Sequence, residues 1–312
     1  MDAKKAASIP TKTWEPVTLP FKHNSLLPTC TLPTADEIRA CPNILRETYF
    51  AKVVAINDEI VVKFGTSMGV CEGQALVYLE RHVPAVSAPR LYAMFKDSGQ
   101  LFLVMQRAPG VQLATLWPSL TEPEKDSVVS KLRGMFDAMR DAQCPWPDFF
   151  GAIDGGSVYD HLFHSLKEGE ERLGPFHDET SLVDALTENY RTLLENTDRQ
   201  VFKARYYEAN LGRVLRNHRP TLTHGDLHHK NIVIAEDPSH RNDNGERSFN
   251  VVLVDWDRAG WYPDFWEFFR ASTYFDMDYW QSDWCWRVQQ FLQVWPAETA
   301  MMRMFDKDVR GF

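Results

Sequence analysis

Between His224 and Asn231 ("HGDLHHKN") the chain crowds three histidines, an aspartate, a lysine and an asparagine into eight residues. Two kinds of chemistry use such a crowd. The first is metal ligation by imidazole, with His224, His228 and His229 at i, i+4 and i, i+5. A zinc site of the HExxH kind needs its histidines on one helix and a glutamate after the first. Here Gly225 follows His224 and the segment runs into the β-branched "NIVI", so zinc fits poorly. The second is phosphoryl transfer. Asp226 stands five residues before Asn231, and about two dozen residues later the apolar run "VVLV" ends in Asp255. Magnesium takes hard oxygen ligands, few of them from protein, because phosphates and water supply the rest. The Asn231 amide oxygen and the Asp255 carboxylate meet that need. Asp226, free of the metal, can then accept the proton of an attacking hydroxyl and aim it at a γ-phosphate.

The flanking elements must bring these groups together. Residues 1–33, rich in Pro, Thr and Lys and without a period, read as an irregular arm. Thr34 and Glu37 form a capping box for a short helix in "TADEIRAC". "YFAKVVAI" and "EIVVKFG" read as a β-hairpin, "EGQALVYLERHV" as a helix with Ala75, Leu76, Leu79 and Val83 in register, and "LYAMFK" with "QLFLVMQ" as a second hairpin. The whole is a small α+β lobe over residues 34–106. "RAPGVQLATLWPS" connects it to a mainly helical remainder, residues 107–312. There Thr121 and Glu124 cap a helix that carries Val128, Val129, Leu132, Met135, Phe136 and Met139 on one face. Two more helices fall within residues 178–217. The strands "NIVIA" and "FNVVLVDWD" are joined by the polar "EDPSHRNDNGERS", which reads as a long mobile hairpin tip. A helical, aromatic tail starts at Trp261.

The bulk numbers narrow the partners. The chain has 312 residues, 44% hydrophobic and 25% charged, as a folded protein should. Its net charge of -9 argues against nucleic acid. Five scattered cysteines without a CxxC pair point to reduced thiols. There is no apolar leader and no run of the roughly 18 apolar residues that a membrane helix needs, so the expected place is the cytosol, off the membrane. Trp256, Trp261, Trp266, Trp280, Trp284, Trp286 and Trp295 lie among Asp264, Glu267, Asp276, Asp278 and Asp283. Such a set is either core packing or a surface for a cationic small molecule.

The pattern H-x-D-x-x-x-x-N followed by a strand-borne aspartate resembles the protein-kinase-like fold. In the form "HGDLHHKNIVI…VVLVDWDRAGWYPDFWE" it is similar to the aminoglycoside phosphotransferase and choline kinase branch, over roughly residues 40–300. The resemblance implies a bilobal α+β architecture, with a small β-rich N-lobe and a larger, mainly helical C-lobe. It implies an ATP-dependent kinase of a small molecule, with GTP left open as donor and Mg2+ as cofactor. Lys63 of "VVKFG" would hold the α- and β-phosphates, oriented by Glu72; Glu59 precedes the lysine strand and points away. "LVMQRAPG" is similar to the hinge, with Met105 as gatekeeper and the Gln106 carbonyl and Ala108 amide meeting the purine. His224 would brace the backbone near Asp255, and Glu267 the loop. Asp257 is a second candidate near the phosphates. His228, His229 and Lys230 read as solvent-facing.

Two departures stand out. "NILRETYFAKVVA" has no glycine where protein kinases have G-x-G-x-x-G, which leaves Arg46, Thr48 or backbone amides to approach the phosphates. The metal strand ends in D-W-D, not D-F-G. A protein kinase is therefore disfavoured, and the rival reading is a degenerate nucleotide-binding protein that acts by interaction. Each residue alone has a plainer reading, Lys63 as a surface lysine and Asp255 as a turn cap. The ordered set of Lys63, Glu72, Asp226, Asn231 and Asp255 is what argues for one site.

Overall fold

Six antiparallel strands run in the order Phe21–Lys22, Leu91–Asp97, Gln100–Gln106, Ile60–Gly65, Lys52–Ala55 and Ile44–Glu47, and form the sheet of the N-lobe. The computed structural model describes residues 14–24, 31–166, 169–241, 244–273 and 283–311. Alternation along the strands sorts the side chains. Val54, Ile60, Val62, Phe64, Phe102 and Val104 pack on one face with Ile38 of the helix Ala35–Arg39. That helix has the expected capping box: Thr34 Oγ1 accepts the Glu37 N–H, and Glu37 accepts the Thr34 N–H at 2.7 Å. Met94, Leu101, Leu103 and Met105 take the other face, against the helix Cys71–His82.

The N-terminal segment is not wholly irregular. Trp14 is buried and its indole N–H donates to the Ile153 carbonyl at 2.8 Å. Val17 exchanges two hydrogen bonds with the Gln74 amide, and Phe21–Lys22 adds a strand to the sheet. The arm has no period because single side chains and a two-residue ladder tie it down. The expectations for residues 1–13 and 25–30 lie outside the described residues.

The C-lobe is mainly helical. Glu122–Asp141 starts at the Thr121–Glu124 box, and Glu124 also takes a bidentate pair from Arg247. Glu179–Asn196, Phe202–Val214, Trp266–Thr273 and Pro296–Arg310 build a second apolar core. Two small sheets lie among them. Val111–Gln112, Ile232–Arg241 and Arg247–Leu253 form one; Gly151–Ala152, Gly260–Pro263 and Pro220–Thr223 form the other. The second was not expected, since its strands are two to four residues long, and it makes the tail begin as a strand. "EDPSHR" extends the strand to Arg241, opposite Arg247, where a loose tip was expected; Asn242 and Asp243 lie outside the described residues. No helix among the described residues is long and apolar enough to cross a membrane.

Candidate active site

Strand alternation sends Lys63 away from the Ile38 face and toward the helix Cys71–His82, whose first turn offers Glu72. Lys63 Nζ lies 2.7 Å from Glu72 Oε2, 2.6 Å from Asp255 Oδ1 and 3.7 Å from Asp257 Oδ2. Burial alone would push the ammonium pKa down; Glu72 and Asp255 beside it push it up instead. Burial also works to raise the Asp255 carboxyl, but Lys63 outweighs it and holds it below the usual range. Glu59 is exposed, and its carbonyl accepts the Arg107 N–H at 2.8 Å.

The loop after strand Pro220–Thr223 is shaped by its own backbone. Gly225 has φ +81, and a Cβ there would lie 2.7 Å from the Arg258 carbonyl oxygen, so glycine is required for the reversal. His224 is fully buried. Its Nε2–H donates to the Val254 carbonyl at 3.0 Å and its Nδ1 accepts the Asp226 N–H at 3.2 Å. Burial lowers its pKa to about 4, so the ring is neutral. Glu267, from the first turn of Trp266–Thr273, accepts the His224 N–H at 2.5 Å, and burial pushes its carboxyl up to about 7.

Asn231 ties the loop to the next strand. Its Nδ2 donates to the Asp226 carbonyl at 3.0 Å and to Asp226 Oδ2 at 3.1 Å, while its own carbonyl accepts the Val254 N–H at 2.9 Å. Asp255 follows with φ +66, a left-handed conformation that aspartate tolerates better than most residues. Two side chains flank Asp226: His228 Nε2 lies 3.6 Å from Oδ2 and Arg258 Nη1 lies 3.2 Å from Oδ1. Burial works to raise the Asp226 carboxyl, but the His228 and Arg258 contacts hold it down at about 2.

This donor set suits a hard cation. No group of three or more His, Cys, Asp and Glu among the described residues is arranged to cage a metal. The Asn231 amide nitrogen is committed to Asp226, so its amide oxygen, like the Asp255 carboxylate, could serve as a ligand. One amide and one carboxylate are what magnesium takes from a protein when phosphates fill its other positions.

At the connector, Met105 is buried in mid-sheet opposite Val61 and Leu91. The Gln106 N–H donates to the Arg90 carbonyl at 2.8 Å; the Ala108 N–H meets no backbone acceptor among the described residues.

Two sequence expectations need correcting. His228 does not face solvent: it is buried, and its Nδ1 accepts the Lys230 N–H at 3.2 Å as the loop folds back. His229 is partly buried against Trp284, and Lys230 alone is exposed. Of the two readings of the tryptophans, core packing holds for Trp256, Trp261, Trp266 and Trp284, which are fully buried. Trp286 is exposed, Trp295 packs beside the second core, and Trp280, Asp276 and Asp278 lie outside the described residues. Arg258 was missed; an arginine three positions after Asp255 in a motif full of acids was the available signal.

Residues 70–283 match the sequence profile of the phosphotransferase enzyme family, more than half of the chain, and the chain belongs to that family. Its fold is similar to that of wild-type aminoglycoside 2'-phosphotransferase-IIIa, solved with GDP. The identity there is 15%, over 86% of this chain and 83% of that one, with a TM-score of 0.54. It is also similar to APH(2")-IIa, solved with streptomycin and ATP, at 13% identity over 86% of each chain and a TM-score of 0.52. These likenesses show the protein-kinase-like bilobal fold. No curated protein matches the sequence significantly.

Proposed function

We propose that the protein transfers the γ-phosphoryl group of ATP to a hydroxyl of a small molecule. The observation that carries this reading is the meeting of Lys63, Glu72 and Asp255 within 2.7 Å across 192 residues of sequence, beside a loop that presents Asp226 and Asn231. A surface lysine and a turn-capping aspartate do not account for that convergence.

In this reading the hinge backbone at Gln106 and Ala108 meets the purine, below Met105. Lys63 leaves Asp255 for the α- and β-phosphates while Glu72 keeps it in place. Asn231 and Asp255 would hold Mg2+, which when bound supplies neutralising charge to the phosphate oxygens. Asp226 accepts the hydrogen of the acceptor hydroxyl. The acceptor oxygen forms its bond to the γ-phosphorus as the bond to the β,γ-bridging oxygen breaks. The proton passes to the Asp226 carboxylate, and ADP leaves with the electron pair on its terminal phosphate. Structures of the neighbours hold GDP in one case and ATP in another, and a backbone-read purine suits either, so GTP is the alternative donor. The degenerate-protein reading is disfavoured by the complete residue set.

The test is mass spectrometry of a cellular small-molecule extract incubated with the protein, Mg2+ and ATP, beside an Asp226→Asn control. A species that gains one phosphoryl group with the wild type alone is expected. ATP binding with no ATP hydrolysis and no transfer to any acceptor supports the interaction reading instead. Near-normal turnover by Asp226→Asn removes Asp226 from the role of base.

A further inference from the structure

We propose that Arg46 is the phosphate clamp of this protein, gripping the β- and γ-phosphates from above where related folds use a glycine-rich loop. The inference rests on the phosphotransferase reading and goes beyond it by assigning a residue to the triphosphate.

The hairpin Ile44–Ala55 occupies the place of that loop, and it carries none of the glycines of the usual device. Flexible glycines would turn backbone N–H groups onto phosphate. Here two of the turn's amides are committed to the turn itself. The Thr48 N–H donates to the Ala51 carbonyl at 2.9 Å, and the Ala51 N–H donates to the Thr48 hydroxyl at 3.1 Å. The turn is also pinned down. The Phe50 carbonyl oxygen lies 2.2 Å from where a Cβ on Gly65 would stand, so the hairpin rests on the lysine strand two residues beyond Lys63, and only glycine allows that approach.

Arg46 is aimed by a defect in the ladder. Ile44 pairs with Val54 but Arg46 pairs with Val53, so Leu45 is the extra residue of a bulge. Bulges bend a strand and redirect the side chains beside them. The redirected guanidinium reaches across 209 residues of sequence, and its Nη1 lies 3.4 Å from Asp255 Oδ2. It shares that carboxylate with Lys63, which holds Oδ1. At 65% exposure its side chain is accessible to a ligand in the cleft.

The chemistry follows from competition. Asp255 is the carboxylate assigned to the metal. A divalent cation bound there would share its charge and weaken its hold on Arg46. A triphosphate beside it offers several charged oxygens to a planar fork of donors, the geometry that guanidinium fits best. Arg46 then moves from the carboxylate to the phosphates, as Lys63 does from the opposite side.

The experiment is equilibrium calorimetry of MgATP, MgADP and adenosine with wild type and Arg46→Ala. Arg46 is an exposed side chain on an edge strand, so the variant folds. The clamp predicts a loss of about tenfold or more for MgATP, a smaller loss for MgADP and less than about twofold for adenosine. An unchanged MgATP affinity overturns the clamp alone, and so does an equal loss for all three ligands, which marks a merely structural role. Wild-type protein that binds no nucleotide overturns the phosphotransferase reading and the clamp with it.

Discussion

Asp226 and Asp255 are carboxylates of one cleft, yet they are held in different ways. The hydrogen-bonding and ionic partners of Asp255 come from the first lobe: Lys63 from one strand and Arg46 from another, 192 and 209 residues away. Those of Asp226 come from its own neighbourhood: Asn231, His228 and Arg258. In the proposed reading the nucleotide side therefore draws its cations from the N-lobe. The acceptor side of that reading is held by partners within the C-lobe.

The strongest way to break this contrast is Asp255→Asn. Asparagine also tolerates the left-handed backbone at φ +66, so the fold should survive. The charge that collects Lys63 and Arg46, and that in the proposed reading would hold the metal, is gone. Calorimetry should show ATP affinity no longer rising on addition of Mg2+, and turnover should fall on the order of 10³-fold. A variant whose Mg2+ dependence is unchanged would place the metal elsewhere.

Glu267 tests how firmly the C-lobe side is preformed. Its carboxyl is raised from 4.5 to about 7 by burial, with the loop N–H groups partly opposing. The folded state therefore binds the proton more tightly than the unfolded chain. The stability this gives is fully present below about pH 4.5 and is lost as pH rises through about 7. At about 1.4 kcal/mol per unit, the difference is on the order of 3 kcal/mol. Glu267→Gln cannot titrate, so it should match the wild type in chemical denaturation at low pH and exceed it at pH 8. Parallel stability curves would mean that Glu267 is ionised throughout.

Arg258→Ala sharpens the comparison from the acceptor side. With Arg258 and His228 beside it Asp226 is held down at about 2, so the wild type should show no acid limb from this group above pH 4. Removing the guanidinium raises the Asp226 pKa by roughly one to two units. Turnover should then be lost as pH falls through about 4, while rates near pH 7 change much less. A pH–rate profile identical to the wild type would separate Asp226 from the protonation that limits the reaction.

The contrast also explains what could be read in advance. Asp226, Asn231 and Asp255 stand within thirty residues of one another, and the needs of phosphate and magnesium chemistry pick them out from residue type and spacing. The N-lobe partners required a resemblance, because nothing local to Lys63 announces a carboxylate 192 residues away. His228 was misjudged because its burial depends on the reversal at Gly225 and on a ring nitrogen taking the Lys230 N–H, both properties of the folded loop. Long periodic helices were legible, whereas strands of two to four residues that close the small sheets were not, since so few positions carry no period.

The smallest expected effect comes from the far face of the N-lobe sheet. Thr34 accepts the Glu37 N–H and starts the helix that places Ile38, fully buried, against Val62 and Phe64. Thr34→Ala removes half of the capping box and should cost about 1 kcal/mol in denaturant unfolding. Lys63 points to the opposite face of the same strand and is fixed there by Glu72 and Asp255, not by Ile38. ATP affinity should therefore stay within about twofold of the wild type, since the lost interaction lies behind the sheet and touches no group of the cleft. A larger fall in affinity, with stability lost by the same small amount, would show that the outer face of the sheet sets the position of the lysine strand, and that the nucleotide side is more loosely held than the C-lobe side by more than its borrowed cations.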